Sequence, residues 1–244
     1  MIDRSLIAGV ELLSLDAGNT VIFLDHARLA SIANEAGFSN VSRDRLVVTE
    51  GETKRLLDQP SRLIDPQWRE RGEPGAAGWG RMAATMLALA GVDEGSLSEL
   101  MSVVWKHHVE FNLWSVVPDG FKQAMAAIRA RGIKTAIVSN SEGMLDRLFE
   151  KLGIHDCFDA LVDSGKVGHE KPGARIFEIA CERTGKRADV ALHLGDTVAT
   201  DIVGGRAAKM RVALIDPYKH YEGLFLDVPR VPGAVEVATA LLSS

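Results

Sequence analysis

Cys157 and Cys181 are the only 2 cysteines among 244 residues. They show no metal-ligand spacing, so both read as reduced, buried thiols of a cytosolic protein. No basic block is present. The chain carries 28 Lys and Arg against 33 Asp and Glu, a net charge of −5, with the basic residues scattered. That balance argues against nucleic acid as a partner. Long apolar runs are missing as well. The longest, from Ala83 to Val92, falls well short of the roughly 20 residues a membrane span requires. The opening Met1-Ile2-Asp3-Arg4 lacks the profile of a secretory leader, and a cytoplasmic location is expected. No internal repeat or low-complexity segment occurs. What remains is 46% hydrophobic with a mean hydropathy of +0.04, which fits one large or two modest globular domains.

The apolar pattern changes character twice. Residues 11–16 and 21–24 are short apolar runs around the turn Ala17-Gly18-Asn19-Thr20. They predict a buried strand followed by a small hairpin. From Ala27 to Asn112 the spacing is helical, as in Leu29, Ile32, Ala33 and Ala36 before Gly37, and no strand is expected. A loop over 69–75 follows from its Gly and Pro content. After Pro118-Asp119-Gly120 the pattern alternates. Helices are expected at 121–131, 142–152, 173–184 and 199–208, and strands at 133–139, 160–162, 190–194 and 211–215. This order predicts an α/β fold with a doubly wound parallel sheet. Residues 1–24 and 113–244 would form the core domain, and 25–112 an inserted helical cap domain over one sheet edge.

Ligands of such sheets bind at the carboxyl ends of the strands. Asp16, Ser139 and Asp196 all fall at predicted strand ends. Asp16 closes an apolar run, where a carboxylate is costly unless it meets a cation or donors; it is a candidate nucleophile for a phosphoryl group. Ser139 and Asn140 precede an expected helix, an arrangement suited to an anion, although Asn140 or Ser141 could equally be an ordinary N-cap. Lys171 stands before Pro172, which suits the first turn of a helix; its cation could neutralise a phosphate and the nucleophile. In Gly195-Asp196-Thr197-Val198-Ala199-Thr200-Asp201, two carboxylates suggest Mg²⁺, which prefers oxygen ligands. Asp196 would ligate the ion directly, and Asp201 would orient a water or Lys171. Gly18 could add a backbone carbonyl. Other residues read as background. Lys54 is expected as a solvated helix lysine, His107 and His108 as a helix surface pair, and the four tryptophans as packing. Gly204-Gly205 lacks the spacing of a dinucleotide fingerprint.

Taken together, these segments resemble the haloacid dehalogenase-like (HAD) hydrolase superfamily over most of residues 10–24 and 113–216. Gly168-His169-Glu170-Lys171-Pro172, followed by Arg175-Ile176-Phe177, is similar to its phosphatase-like branch. The resemblance implies a Rossmann-like core, a helical cap and a cytoplasmic hydrolase of small phosphorylated metabolites. It implies an aspartyl-phosphate on Asp16, phosphate binding by Ser139 and Lys171, and a Mg²⁺ site served by Asp196 and Asp201. One position departs from it. Phosphatases of the family carry a second aspartate, the general acid, where this chain has Gly18. Three alternatives follow: a dehalogenase, a phosphonate hydrolase with a cap lysine such as Lys54 as Schiff base, or a phosphate- or metal-binding protein with impaired catalysis. If catalysis persists, the acid must come from the substrate, from solvent or from a nearby residue such as Asp25 or His26.

Overall fold

The computed structural model describes residues 2–57, 59–73, 76–141 and 143–243. Pro74 and Gly75 of the expected loop, and Glu142 at the expected start of helix 142–152, lie outside the described residues. Along the chain, helix α1 (Arg4–Ile7) precedes β1 (Leu12–Leu15) and β2 (Phe23–Leu24). Helices α2 (His26–Glu35), α3 (Arg43–Lys54), α4 (Ala76–Leu89) and α5 (Leu97–Glu110) follow, then β3 (Trp114–Val116). The next stretch holds α6 (Phe121–Ala130), β4 (Lys134–Ser139), α7 (Leu145–Lys151), β5 (Ala160–Asp163), α8 (Ser164–Val167) and α9 (Ala174–Thr184). The chain ends with β6 (Ala191–Gly195), α10 (Val203–Ala207), β7 (Arg211–Ile215), β8 (Arg230–Val231) and α11 (Ala234–Leu242).

Two compact units result. One comprises Met1–Phe23, Val116–Pro217 and Gly223–Ser244. Its sheet has the order β5-β4-β1-β6-β7-β8, and every adjacent pair is parallel. This is the expected α/β architecture. β1 is buried at all four positions and β6 at all five, as strands covered on both faces must be. Leu12, Ala136, Val138 and Val162 pack on one face with Ile176, Phe177 and Ala180 of α9. Gly204 lets α10 close on α9, because a Cβ there would lie 2.6 Å from the Phe177 ring. Strand order reverses around β1: the chain runs outward through β4 and β5, then returns to β6 on the other side of β1. The crevice between β1 and β6 is therefore the switch point where such sheets bind ligands.

The second unit comprises Leu24–Ser115 and Tyr218–Glu222. Its core joins Leu29, Leu46, Leu87, Leu100 and Met101 from α2 to α5. Trp68, Trp79 and Trp105 cluster beside it, which is the expected packing role.

Several sequence expectations need correction. β2 forms no hairpin with β1; it pairs with β3, some ninety residues downstream in the chain numbering. A two-residue strand is too short for an alternation signal. Lys54 is not solvated but buried, 3.6 Å from Glu50 and 3.3 Å from His220 Nδ1. His108 is not on the surface; it is 3% exposed and stacked on Trp105. Residues 218–222, assigned to the core domain from sequence, belong to the helical unit. His220 holds them there: its Nε2 donates to Val47 O at 3.0 Å, and its ring lies against Gly51.

Candidate active site

Asp16 follows β1 directly, and its N–H continues the ladder by donating to Leu194 O at 2.9 Å. Asp196 follows β6, the neighbouring strand, in matching register (Leu15 opposite Leu194). Parallel pairing thus sets both carboxylates at one edge, at the switch point. Asp201 comes from a π turn over Val198–Ile202 that leads into α10. Its N–H donates to Thr197 O, and its Oδ2 accepts from the Thr197 N–H at 3.0 Å. Gly195 makes room for this return, since a Cβ there would lie 2.2 Å from Asp201 Cγ.

Lys171 joins these carboxylates. Its Nζ donates to Asp16 Oδ1 at 2.5 Å and to Asp201 Oδ1 at 2.6 Å. Asn140 holds the lysine backbone from both sides: its Oδ1 accepts from Lys171 N at 2.8 Å, and its Nδ2 donates to Lys171 O at 2.9 Å. The Asn140 amide is therefore engaged with Lys171, in a place where the sequence suggested an anion contact or an N-cap. Ser139 ends β4 and is 5% exposed, one strand over from Asp16 on the same edge.

Two local expectations fail. α7 starts at Leu145 rather than at 142, and α9 starts at Ala174, so Pro172 lies before the helix and not within its first turn. Asp163, which sequence reasoning missed, explains the first. Its carboxylate accepts from Gly143 N, Leu145 N and Gly165 N, so donors at the α7 start are already satisfied. The only signal was its place at the end of the apolar run Ala160-Leu161-Val162. Also unforeseen is His193 on β6, which is fully buried. Its Nδ1 lies 2.9 Å from Ser14 Oγ and its Nε2 3.3 Å from Asp201 Oδ1. Burial pushes its imidazole below the ordinary range, against the pull of Asp201.

Two of the three buried carboxylates, Asp16 and Asp201, share Lys171. Burial raises Asp201, but Lys171 and His193 overcome this and hold it well below the usual carboxylate range. At Asp16 burial, with the repulsion of Asp201 and Asp196, outweighs Lys171 and brings the carboxyl up to about 7. Lys171 itself, though burial opposes its charge, is held above its ordinary range by Asp16 and Asp201. The excess negative charge is suited to a cation. Asp16, Asp196 and Asp201 each offer an oxygen within 4.8 Å of the others, an all-oxygen donor set that fits Mg²⁺. Two hydroxyls in the loops after β1 and β4, Thr20 Oγ1 and Ser141 Oγ, are buried without a protein partner.

Asp25 and His26, the nearest replacements for the absent acid by sequence, are both engaged within the helical unit. Asp25 caps α2 by accepting from Arg28 N at 2.9 Å, and His26 Nε2 lies 2.8 Å from Glu50. Burial opposes the charge on Glu50, but Lys54 and His26 bring it down to about 2. Among the described residues no helix is long and apolar enough to cross a membrane.

Comparison with known proteins agrees with this geometry. The chain is 30% identical to mouse haloacid dehalogenase-like hydrolase domain-containing protein 3, over 84% of this chain and 82% of the relative. It is 27% identical to glyceraldehyde 3-phosphate phosphatase of Methanothermobacter thermautotrophicus, over 79% of this chain and 80% of that protein. The fold is similar to the magnesium-bound crystal structure of the HAD-hydrolase YfnB from Bacillus subtilis, with a TM-score of 0.67 and 16% identity over 96% of this chain and 99% of the other. The family model for haloacid dehalogenase-like hydrolases matches residues 15–209. The chain belongs to the haloacid dehalogenase-like hydrolases and is a phosphatase-like enzyme.

Proposed function

We propose that the chain is a Mg²⁺-dependent phosphohydrolase of small phosphorylated metabolites that works through an aspartyl-phosphate on Asp16. One observation carries this reading: Asp16 at the β1 end, bound through Lys171 to Asp201, with Asp196 on the adjacent strand. Phosphatase-named relatives support the substrate class.

An Asp16 carboxylate oxygen attacks phosphorus, forming a P–O bond to the protein while the bond to the leaving oxygen breaks. Lys171 balances charge on the nucleophile and on the phosphoryl oxygens, and Ser139 orients those oxygens. Asp201 and Asn140 hold Lys171 in place. Asp16, Asp196 and the Gly18 carbonyl would hold Mg²⁺, with Asp201 beside them, and the bound ion supplies electrostatic stabilisation of the transferring group. Water then attacks phosphorus, releasing inorganic phosphate and the Asp16 carboxylate. No side chain at Gly18 protonates the leaving group or activates that water. The leaving oxygen must take its proton from solvent or from the substrate itself. Activated aryl phosphates are therefore the better substrates, and simple alkyl phosphates the poorer ones. A Schiff-base route through Lys54 draws no support, because a Schiff base needs a neutral amine and Lys54 is buried beside an ionised Glu50.

The test is phosphate release from p-nitrophenyl phosphate, with and without Mg²⁺, for the parent and Asp16→Asn. Metal-dependent release by the parent, lost in the variant, is expected. Equal rates in the two proteins would remove the enzyme mechanism and leave a phosphate- or metal-binding role.

A further inference from the structure

Lys171 is aimed by Asp201, so whatever fixes Asp201 also sets the geometry at Asp16. Asp201 Oδ2 is fixed by the Thr197 N–H at 3.0 Å. Asp201 Oδ1 faces two groups, Lys171 Nζ at 2.6 Å and His193 Nε2 at 3.3 Å. An ionised carboxylate only accepts hydrogen bonds, so the proton of a neutral His193 belongs on Nε2. Nδ1 is then an acceptor, and Ser14 Oγ at 2.9 Å must be its donor.

The placement is built into the sheet. Ser14 and His193 are directly opposed across β1 and β6. Phe177 stands edge-on to the imidazole, with ring centroids 4.9 Å apart, and Gly205 packs beside it, where a Cβ would lie 2.6 Å from Val212 Cγ1 and in ordinary contact with His193. Serine and histidine at the centre of a fully buried parallel sheet are costly unless each finds a partner. Here the partners form one line from Ser14 through His193 and Asp201 to Lys171 and Asp16.

We propose that His193 is a positioning residue: held by Ser14, it donates from Nε2 to Asp201 Oδ1 and thereby fixes the carboxylate that presents Lys171 to Asp16. This deepens the phosphohydrolase reading and rests on it for its kinetic consequence. His193 touches neither Asp16 nor the phosphoryl group, so its loss acts on the rate after binding.

Two amide variants separate this role from simple packing. In His193→Gln the amide nitrogen can reach the former Nε2 position and donate to Asp201. In His193→Asn it reaches only the Nδ1 position, beside Ser14. With p-nitrophenyl phosphate and Mg²⁺, kcat of His193→Asn is expected to fall about ten- to a hundredfold with KM changed less than about threefold, on the scale lost when a supporting shell of a site is removed. His193→Gln is expected to recover most of kcat. Equal losses in the two variants, or losses confined to KM, would overturn the proposal. Nitrogen-15 NMR of the ring in the parent gives an answer that needs no turnover. A proton on Nε2 is expected, and a proton on Nδ1 alone would overturn the proposal. A parent that releases no phosphate would refute the phosphohydrolase reading, and the ring spectrum would still decide whether His193 donates to Asp201.

Discussion

At the residue scale, the Asp16 carboxyl is the group most exposed to pH. Burial and two neighbouring carboxylates bring it up to about 7 in the metal-free protein. The nucleophile is the ionised form, so kcat/KM should fall as pH drops through that range. Metal and proton compete for the same oxygen; raising Mg²⁺ should shift the acid limb to lower pH. An acid limb unmoved by Mg²⁺ would contradict the placement of the ion at Asp16. The stability consequence has the opposite sign. Asp16 has a folded-state value above its ordinary 3.8, so the folded protein binds more protons across that window. Its contribution to stability is present at low pH and is lost as pH rises toward 7. Glu50 and Asp159, both held at about 2, change stability only at more acid pH. Denaturant titrations of the metal-free protein between those limits should differ from those of Asp16→Asn by the Asp16 effect, because the buried His193, lowered from 6.5, acts with the opposite sign in both proteins. Gly18 carries the other prediction at this scale. Gly18→Asp should speed the phosphorylation of Asp16 by an alkyl phosphate by about 10²–10⁴-fold, the usual contribution of general acid–base help, while changing that first step with an aryl phosphate much less. Equal gains on both substrates would show that leaving-group protonation was not the missing function.

At the element scale, two glycines sit where a Cβ would run into a neighbouring side chain. Gly51 lies inside α3, where alanine would ordinarily be favoured by about 1 kcal/mol. A Cβ there would come 2.5 Å from His220 Cδ2, and overpacking of that kind typically costs about 1–3 kcal/mol. Gly51→Ala should therefore lower Tm, and the same change in a His220→Ala background should raise it; thermal melts of the four proteins decide. Gly195 is the counterpart in the core, with the Asp201 carboxylate in the space of its missing Cβ. These contacts also mark how far the sequence could be read. β1 and β6 end in Asp16 and Asp196, and continuous apolar runs announce both strands and their terminal acids. That the sheet is parallel, with those acids at one edge, follows from the alternation; the strand order does not. Lys54, His108 and His220 could not be placed that way. Each is polar, so its burial carries no apolar signal; His108 extends the α5 stripe by stacking on Trp105, and Lys54 meets His220 across 166 positions of chain. Asp163 likewise serves a helix start in a different segment, so the local capping rules put α7 too early. Residues 218–222 have too short a pattern to reveal that they join the helical unit.

At the scale of the whole molecule, the chain is two compact units with separate cores, and Asp16, Lys171, Asp196 and Asp201 all belong to one of them. Mg²⁺ at a hundred times its Kd stabilises the state that binds it by about 2.7 kcal/mol. That gain should appear as slowed amide exchange in β1, β6 and α10, with little change in α3 to α5. Equal protection of both units would contradict a site held by the sheet unit alone. The absence of a side chain at Gly18 also shapes the full cycle. The first step, with a good leaving group, needs no acid, whereas the second must activate water. Aspartyl-phosphate should therefore accumulate on an activated substrate and give a burst of leaving group before steady turnover. The decisive measurement is mass spectrometry of peptides from protein acid-quenched during turnover of p-nitrophenyl phosphate with Mg²⁺. The prediction is a phosphoryl group on the peptide that contains Asp16, removed by hydroxylamine and absent from Asp16→Asn. Phosphate release without that adduct, or the same adduct in the Asp16→Asn protein, would contradict Asp16 as the nucleophile.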